Sequence, residues 1–227
     1  LLPGQYRTIF LIAAVPGLIA VGLTWMLHDP PPGEARMKAV APIGSLPKSF
    51  LPILAVSALY GFAASSDALL LLRASGMGFD ALGVVGLYVM ANLIASLGAY
   101  PAATWSDRIG RKRLLAAGWA IYGLVYVGLA AGGFWLAPWL FAAYGVQLAL
   151  TEGAVRAWAV DEVSPEARGT ALGLFHATVG LSALAGNLAV GLVWDQAGAS
   201  PALLISAAAS LLACLGLFVL PSGRTRR

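Results

Sequence analysis

From Leu114 to Thr151 the chain carries no charged residue at all. As a single helix that stretch would be about 57 Å long, nearly twice the roughly 30 Å of hydrocarbon in a bilayer. It must fold back on itself, and Gly132-Gly133 followed by Pro138 supplies the break. Five further runs are each long enough for one crossing of about 20 residues: Thr8 to Leu27, Ser49 to Leu72, Ala81 to Trp105, Gly169 to Trp194 and Ser200 to Leu220. The fold class expected is therefore an all-α, polytopic membrane bundle of seven spans. Composition agrees, because only 11% of the residues are charged where a soluble domain carries about a quarter. Thr8 to Leu27 is too long for a signal-peptide core, and Pro30-Pro31-Pro32 follows it in place of a small-residue cleavage site.

Lys and Arg set the orientation. The connections holding Arg36, Lys38 and Lys48, then Arg108 to Arg113, then Arg156 and Arg168, and finally the tail with Arg224, Arg226 and Arg227, are basic. The intervening connections hold Arg73 alone, nothing, and nothing, with Arg7 a minor exception. The expected location is a cell (inner or plasma) membrane, multi-pass, with the C-terminus cytoplasmic. Trp25, Trp105, Trp135, Trp139 and Trp194 fall near span ends, where indole rings favour the interface. The formal charge of +4 does not indicate nucleic acid, since the basic residues sit between apolar segments and not in one stripe. Cys214 is the sole cysteine, so no internal disulfide can form.

The expected organisation is a span in residues 1–28, a cytoplasmic linker over 29–48, a six-helix bundle over 49–221 and a cytoplasmic tail at 222–227. One span before the linker and six after it imply further spans upstream. Within the six, Ala103-Thr-Trp-Ser-Asp107-Arg-Ile-Gly110 matches Gly191-Leu-Val-Trp-Asp195-Gln-Ala-Gly198. The copies lie 88 residues and three spans apart, on opposite membrane sides, as an inverted 3+3 repeat requires.

Asp107 to Arg113 packs five charges into seven residues. Asp107 closes a helix where its carboxylate can meet the positive end of a neighbouring helix, and Gly110 permits a tight turn. Lys112 and Arg113 read as surface charges, of the kind that contribute about 0–1 kcal/mol per pair. Glu152 and Arg156 are four apart on one helix face, in the order that favours pairing. Arg168 precedes Gly169-x-x-x-Gly173, where small residues allow close packing.

SDRIGRKRLL, Ser106 to Leu115, resembles the signature loop of the major facilitator superfamily, in the copy between the eighth and ninth of twelve spans. TEGAVRAWAVDEVSPEARGTALGLFHATVG, Thr151 to Gly180, is similar to the tenth-to-eleventh-span region of bacterial members. The resemblance covers the whole chain, with Thr8 to Leu27 as the sixth span and the rest as the carboxy-terminal half. Ala103 departs from the usual Gly, which would slightly loosen the helix approach. The resemblance implies a secondary transporter that rocks two bundles around a central cavity. It further implies a cytoplasmic latch made of Asp107, Arg108, Gly110, Arg111, Glu152, Arg156 and Arg168. The partners implied are a small-molecule substrate, the lipid bilayer, the missing N-terminal half and protons.

Asp67 is the one acid well inside a predicted span. A charge at the bilayer centre costs about 2.5–3.5 kcal/mol on insertion scales, so such residues usually face a bundle interior. Six residues before Arg73, it could also be an interfacial acid about 9 Å below the outer surface; both readings stay open. Asn92, Gln147, His176 and Asn187 are further candidates for the substrate or proton site, although interhelical hydrogen bonds, worth about 0.6 kcal/mol on average, are the commoner use of such groups. Ser65 and Ser66 read as packing. No G-x-x-x-x-G-K-[ST], H-E-x-x-H or nucleophile elbow is present, and two His residues do not make a metal site. The chain is therefore read as no enzyme, with no cofactor and no metal. Proton-coupled export is the leading function. A metabolite uptake carrier of the same fold, a seven-span receptor and a non-transporting membrane fragment are the alternatives, although Ser200 to Leu220 lacks the lysine a retinal receptor needs. Impermeant labelling from outside intact cells should miss the Arg108–Arg113 loop; reagent reaching it would reverse the orientation.

Overall fold

The computed structural model describes residues 6–26, 41–64, 66–161 and 163–220. Residues 29–40 of the expected linker and the tail at 222–227 lie outside them. The chain divides into two units, Leu1–Ala39 and Val40–Arg227. The first holds α1, Tyr6–Thr24, on the first expected span, with Pro16 inside it. The second holds α2 (Phe50–Ala63), α3 (Asp67–Gly76), α4 (Ala81–Ile109), α5 (Arg111–Ala131), α6 (Ala137–Val160), α7 (Arg168–Ala197) and α8 (Ala199–Val219). Among the described residues six helical segments are long and apolar enough to cross a membrane, counting Phe50–Gly76 as one.

The span expected as one helix over Ser49 to Leu72 is in fact two. α2 stops at Ala63 and α3 starts at Asp67 because Ser66, an N-cap whose hydroxyl accepts from the Ala68 N–H at 3.3 Å, starts a new helix. This corrects the view of Ser66 as packing; Ser65 lies outside the described residues. The end of the linker also belongs to the bundle: Ala41 and Leu46 pack with Phe50, Ala159 and Phe175, and Thr170 Oγ1 donates to the Ala41 carbonyl at 2.7 Å.

The helices pair as α4 with α6, α2 with α7 and α5 with α8. These pairings are what a twofold exchange of the α2/α3–α4–α5 and α6–α7–α8 triplets would leave unchanged. α4 ends at Gly110 with φ +91° and α7 at Gly198 with φ +88°, a backbone region in which glycine alone is unstrained. The 88-residue offset between these caps also relates Ala91 to Val179, and an offset of 84 relates Tyr60-Gly61 to Tyr144-Gly145. Gly145 lies against the Ala91 carbonyl and Gly61 against the Val179 carbonyl, so the repeat is carried by equivalent backbone contacts. Its inversion shows at the helix ends. Lys112 Nζ, at the start of α5, donates to the Leu220 carbonyl just beyond α8. Ser200 Oγ, at the start of α8, donates to the Ala130 carbonyl at the end of α5 at 2.7 Å. α5 and α8 are therefore antiparallel, and Lys112 is a helix-end cap, not a bare surface charge.

The core is aromatic at its centre, with Trp119, Tyr122, Tyr126 and Phe141 buried. α4 and α7 instead turn apolar faces outward, with Leu97 71% and Leu181 70% exposed, as a bundle bathed in lipid or covered by protein can afford but one in water cannot. The glycine contacts make the packing testable. A Cβ at Gly145 or Gly186 would press into backbone of Ala91 or Phe62, whereas one at Gly191 meets nothing within 4 Å. Gly145→Ala and Gly186→Ala should each cost about 1–3 kcal/mol, and Gly191→Ala should be neutral or slightly stabilising, as read by thermal unfolding in detergent.

Candidate functional site

Interrupting a helix in a membrane frees backbone groups that water cannot satisfy, and the α2–α3 interruption is closed by side chains from the surrounding helices. Tyr122 of α5 donates its hydroxyl to the Ala63 carbonyl at 2.8 Å. Asn187 Oδ1 of α7 accepts the Ser66 N–H at 2.6 Å. Asp67, first residue of α3, accepts from Tyr88 Oη of α4 at 2.9 Å and from Tyr144 Oη of α6 at 2.6 Å. It lies about 14 Å along α3 from Gly76.

The energetics explain how a carboxylate can stand there. A charge at the bilayer centre costs about 2.5–3.5 kcal/mol, and Asp67 is half-buried in this bundle. The α3 N-terminus offsets about 0.3–1 kcal/mol, and each hydrogen bond to a charged acceptor about 1.5–3 kcal/mol. Hydrogen bonding is thus sufficient, and among the described residues no cation pairs with Asp67. Arg73, on the same helix, is turned away: its Nε donates to the Leu129 carbonyl at 2.8 Å and its Nη2 to the Ala130 carbonyl at 3.4 Å, capping the C-terminal end of α5.

A second polar cluster surrounds Gln147, which is 1% exposed. Its Nε2 donates to Tyr60 Oη at 2.7 Å and to Thr151 Oγ1 at 2.9 Å, and Tyr60 stacks on Trp119 at 4.5 Å between ring centroids. Gln147 Oε1 and Trp119 Nε1 are buried without a hydrogen-bond partner among the described residues. The 84-residue offset maps Tyr144 onto Tyr60 and Asp67 onto Thr151, so the two clusters are repeat mates. Of the other expected site residues, Asn92 is exposed and donates to the Tyr88 carbonyl at 2.9 Å. His176 is exposed, edge-on to Phe175 at 5.5 Å, about 16 Å along α7 from Asn187. The structure thus gathers Asp67 and Asn187 at the interruption, sets Asn92 against Tyr88, a donor to Asp67, places Gln147 in the mate cluster, and leaves His176 exposed on α7. Tyr60, Tyr88, Tyr122 and Tyr144 were missed from the sequence; the doubled Tyr-Gly at the repeat offset was the signal for two of them.

At the other end of the bundle, Arg111 pairs with Asp161 and donates to the Ala157 carbonyl at 3.1 Å. A guanidinium at the C-terminal end of α6 meets both a carboxylate and the helix's free carbonyls there, which is why it chooses Asp161 over Glu152. Asp161 was not anticipated. Asp107, Arg111 and Glu152 line one groove between α4 and α6, walled by Ala95, Ala99 and Ala102. Glu152 and Arg156 are exposed and make no ion pair with each other, so the expected i, i+4 contact is not realised. Asp107, Arg108 and Arg168 are likewise exposed, with no ion pair among the described residues. Gly110 caps α4, its N–H on the Ser106 carbonyl at 3.0 Å.

An all-helical membrane bundle with an internal inverted repeat and a polar centre is the architecture of a transporter. The sequence matches the Major Facilitator Superfamily over residues 81–227, and the chain belongs to that family. It is 31% identical over 201 residues to an uncharacterized MFS-type transporter of Methanocaldococcus jannaschii, a match covering 84% of this chain and 50% of that protein. The chain thus spans about half the length of that relative.

The closure of the interruption gives a stability test. Tyr122→Phe leaves the buried Ala63 carbonyl unpaired and should lower stability by about 1–3 kcal/mol. Ser200→Ala, which leaves the Ala130 carbonyl with Arg73 as a second donor, should cost less; both are read by thermal unfolding in detergent.

Proposed function

We propose that the chain is the carboxy-terminal part of a secondary active transporter that exports a small solute against proton entry by alternating access. On this proposal it lies in the cell membrane with the Arg111–Asp161 end cytoplasmic. Asp67 is the group that binds and releases the coupling proton, oriented by Tyr88 and Tyr144. Arg111 with Asp161, flanked by Asp107, Arg108, Gly110, Glu152, Arg156 and Arg168, forms the cytoplasmic latch, and an upstream half completes the cavity.

One observation carries the proposal. Asp67 is an acid inside the membrane-spanning region, held by hydroxyls from two different helices at an interrupted helix. Intramembrane ionisable groups at such interruptions serve ion or substrate pathways. Its repeat mate is the neutral Thr151, so packing at this position does not call for a charge. In vesicles containing the full-length transporter, Asp67→Asn should retain solute exchange but lose its dependence on a pH gradient. Unchanged gradient dependence in the variant would defeat the proposal.

A further inference from the structure

The cluster around Gln147 is uncharged, enclosed and incomplete in its hydrogen bonds. Gln147 Nε2 commits both hydrogens, to Tyr60 Oη at 2.7 Å and Thr151 Oγ1 at 2.9 Å. The Thr151 hydroxyl in turn donates to the Gln147 backbone carbonyl at 2.9 Å. Among the described residues Gln147 Oε1 then has no donor, and Trp119 Nε1, on the ring stacked against Tyr60, has no acceptor. Turning the amide over does not cure this, because its two N–H groups would then stand unpaired where the oxygen was. The hydroxyls of Ser57 and Ser206 are buried and unpartnered as well, so α2, α5, α6 and α8 each bring one such group into the bundle. Ser57 lies one turn from Tyr60, and Ser206 one turn from Ser210, whose hydroxyl donates to the Trp119 carbonyl at 2.8 Å.

A buried donor or acceptor left unpaired is costly, and folded interiors satisfy nearly all of them with protein groups or ordered water. Gln147 is 1% exposed and Trp119 fully enclosed, so the partner sits inside this bundle and does not come from a segment docked on its surface. It must accept from the indole N–H and donate to the amide oxygen at the same time. Tyr60, Trp119, Gln147 and Thr151 carry no charge, which leaves an ion there without a counter-ion. A close-packed interior admits only the smallest species. Water meets all of these conditions, since a buried water makes about three hydrogen bonds to polar groups that otherwise lack them. We infer that a water molecule is bound between Gln147 and Trp119, taking the indole proton and giving one of its own to Gln147 Oε1. It joins α5 to α6 beside Tyr60, and so steadies the last turn of α2 just before the interruption.

The test is vibrational spectroscopy of the detergent-purified full-length protein. An ultraviolet resonance Raman difference, wild type minus Trp119→Phe, isolates this one indole and should show its N–H hydrogen-bonded. Infrared difference spectra between ordinary and oxygen-18 water should contain an O–H stretch that shifts with the isotope. That band should be lost in Trp119→Phe and equally in Gln147→Met, which keeps the side-chain volume and removes the acceptor. A free indole N–H in the wild type overturns the inference. So does a bonded N–H with no isotope-sensitive band that both variants remove, because the indole then bonds to protein directly. Should Trp119→Phe fail to fold, Gln147→Met alone decides: loss of the band sustains the bound water, and an unchanged band overturns it.

Discussion

A helix crossing lipid can be interrupted only where the freed backbone groups find partners in the protein or line a water-filled cavity. The rest of this bundle is arranged around one such interruption. Ala63 O and Ser66 N–H are met by Tyr122 and Asn187, and the Asp67 carboxylate by Tyr88 and Tyr144. These side chains come from α4, α5, α6 and α7, so four helices must hold their register for one short gap to stay closed. The close glycine contacts serve the same end. With Gly145 against Ala91 and Gly186 against Phe62, α6 and α7 approach closely enough for hydroxyl and amide side chains to reach.

The two ends of the bundle are held by a different device. Free carbonyls at the ends of α5, α6 and α8 are met by Arg73, Arg111 and Lys112 respectively. Each cation satisfies a helix terminus and opposes its dipole at once. Among the described residues no cation pairs with Asp67. Arg73 has the stem length to be a candidate partner, but the carbonyls of Leu129 and Ala130 claim it.

The spans were legible because lipid imposes a one-dimensional rule: apolar length measures crossings, and breaks announce themselves as Gly-Gly and Pro, as at Gly132 to Pro138. The repeat was legible at Asp107 and Asp195, since a helix cap fixes residue types locally. The interruption at Ala63–Asp67 was not, because Ala-Ala-Ser-Ser-Asp contains no Pro or Gly and only the Ser66 cap marks it. The tyrosines were hidden for a related reason. Their rings count as apolar in any hydropathy sum, while their hydroxyls, which close the gap, do not register. Glu152 with Arg156 shows the converse failure. Helical spacing permits that pair, but both side chains are exposed, where a contact is worth about as much as the side-chain entropy it costs. Asp161 was missed because its partner, Arg111, is fifty residues away in sequence.

The comparison of repeat mates separates what the fold needs from what it adds. At Tyr60 and Tyr144, and at Gly61 and Gly145, the two triplets agree, and both pairs sit at the crossing of α2/α3 and α6 with their neighbours. At Asp67 and Thr151 they differ, although each side chain is a hydrogen-bond partner in its own cluster. Thr151 meets its needs with Gln147 beside it and no charge. The same scaffold could therefore have accepted a hydroxyl at residue 67, avoiding the cost of placing a carboxylate in the membrane. Breaking the symmetry with an acid serves no packing purpose visible in the bundle. It does give one triplet, and not the other, an ionisable group beside the same pair of tyrosine positions.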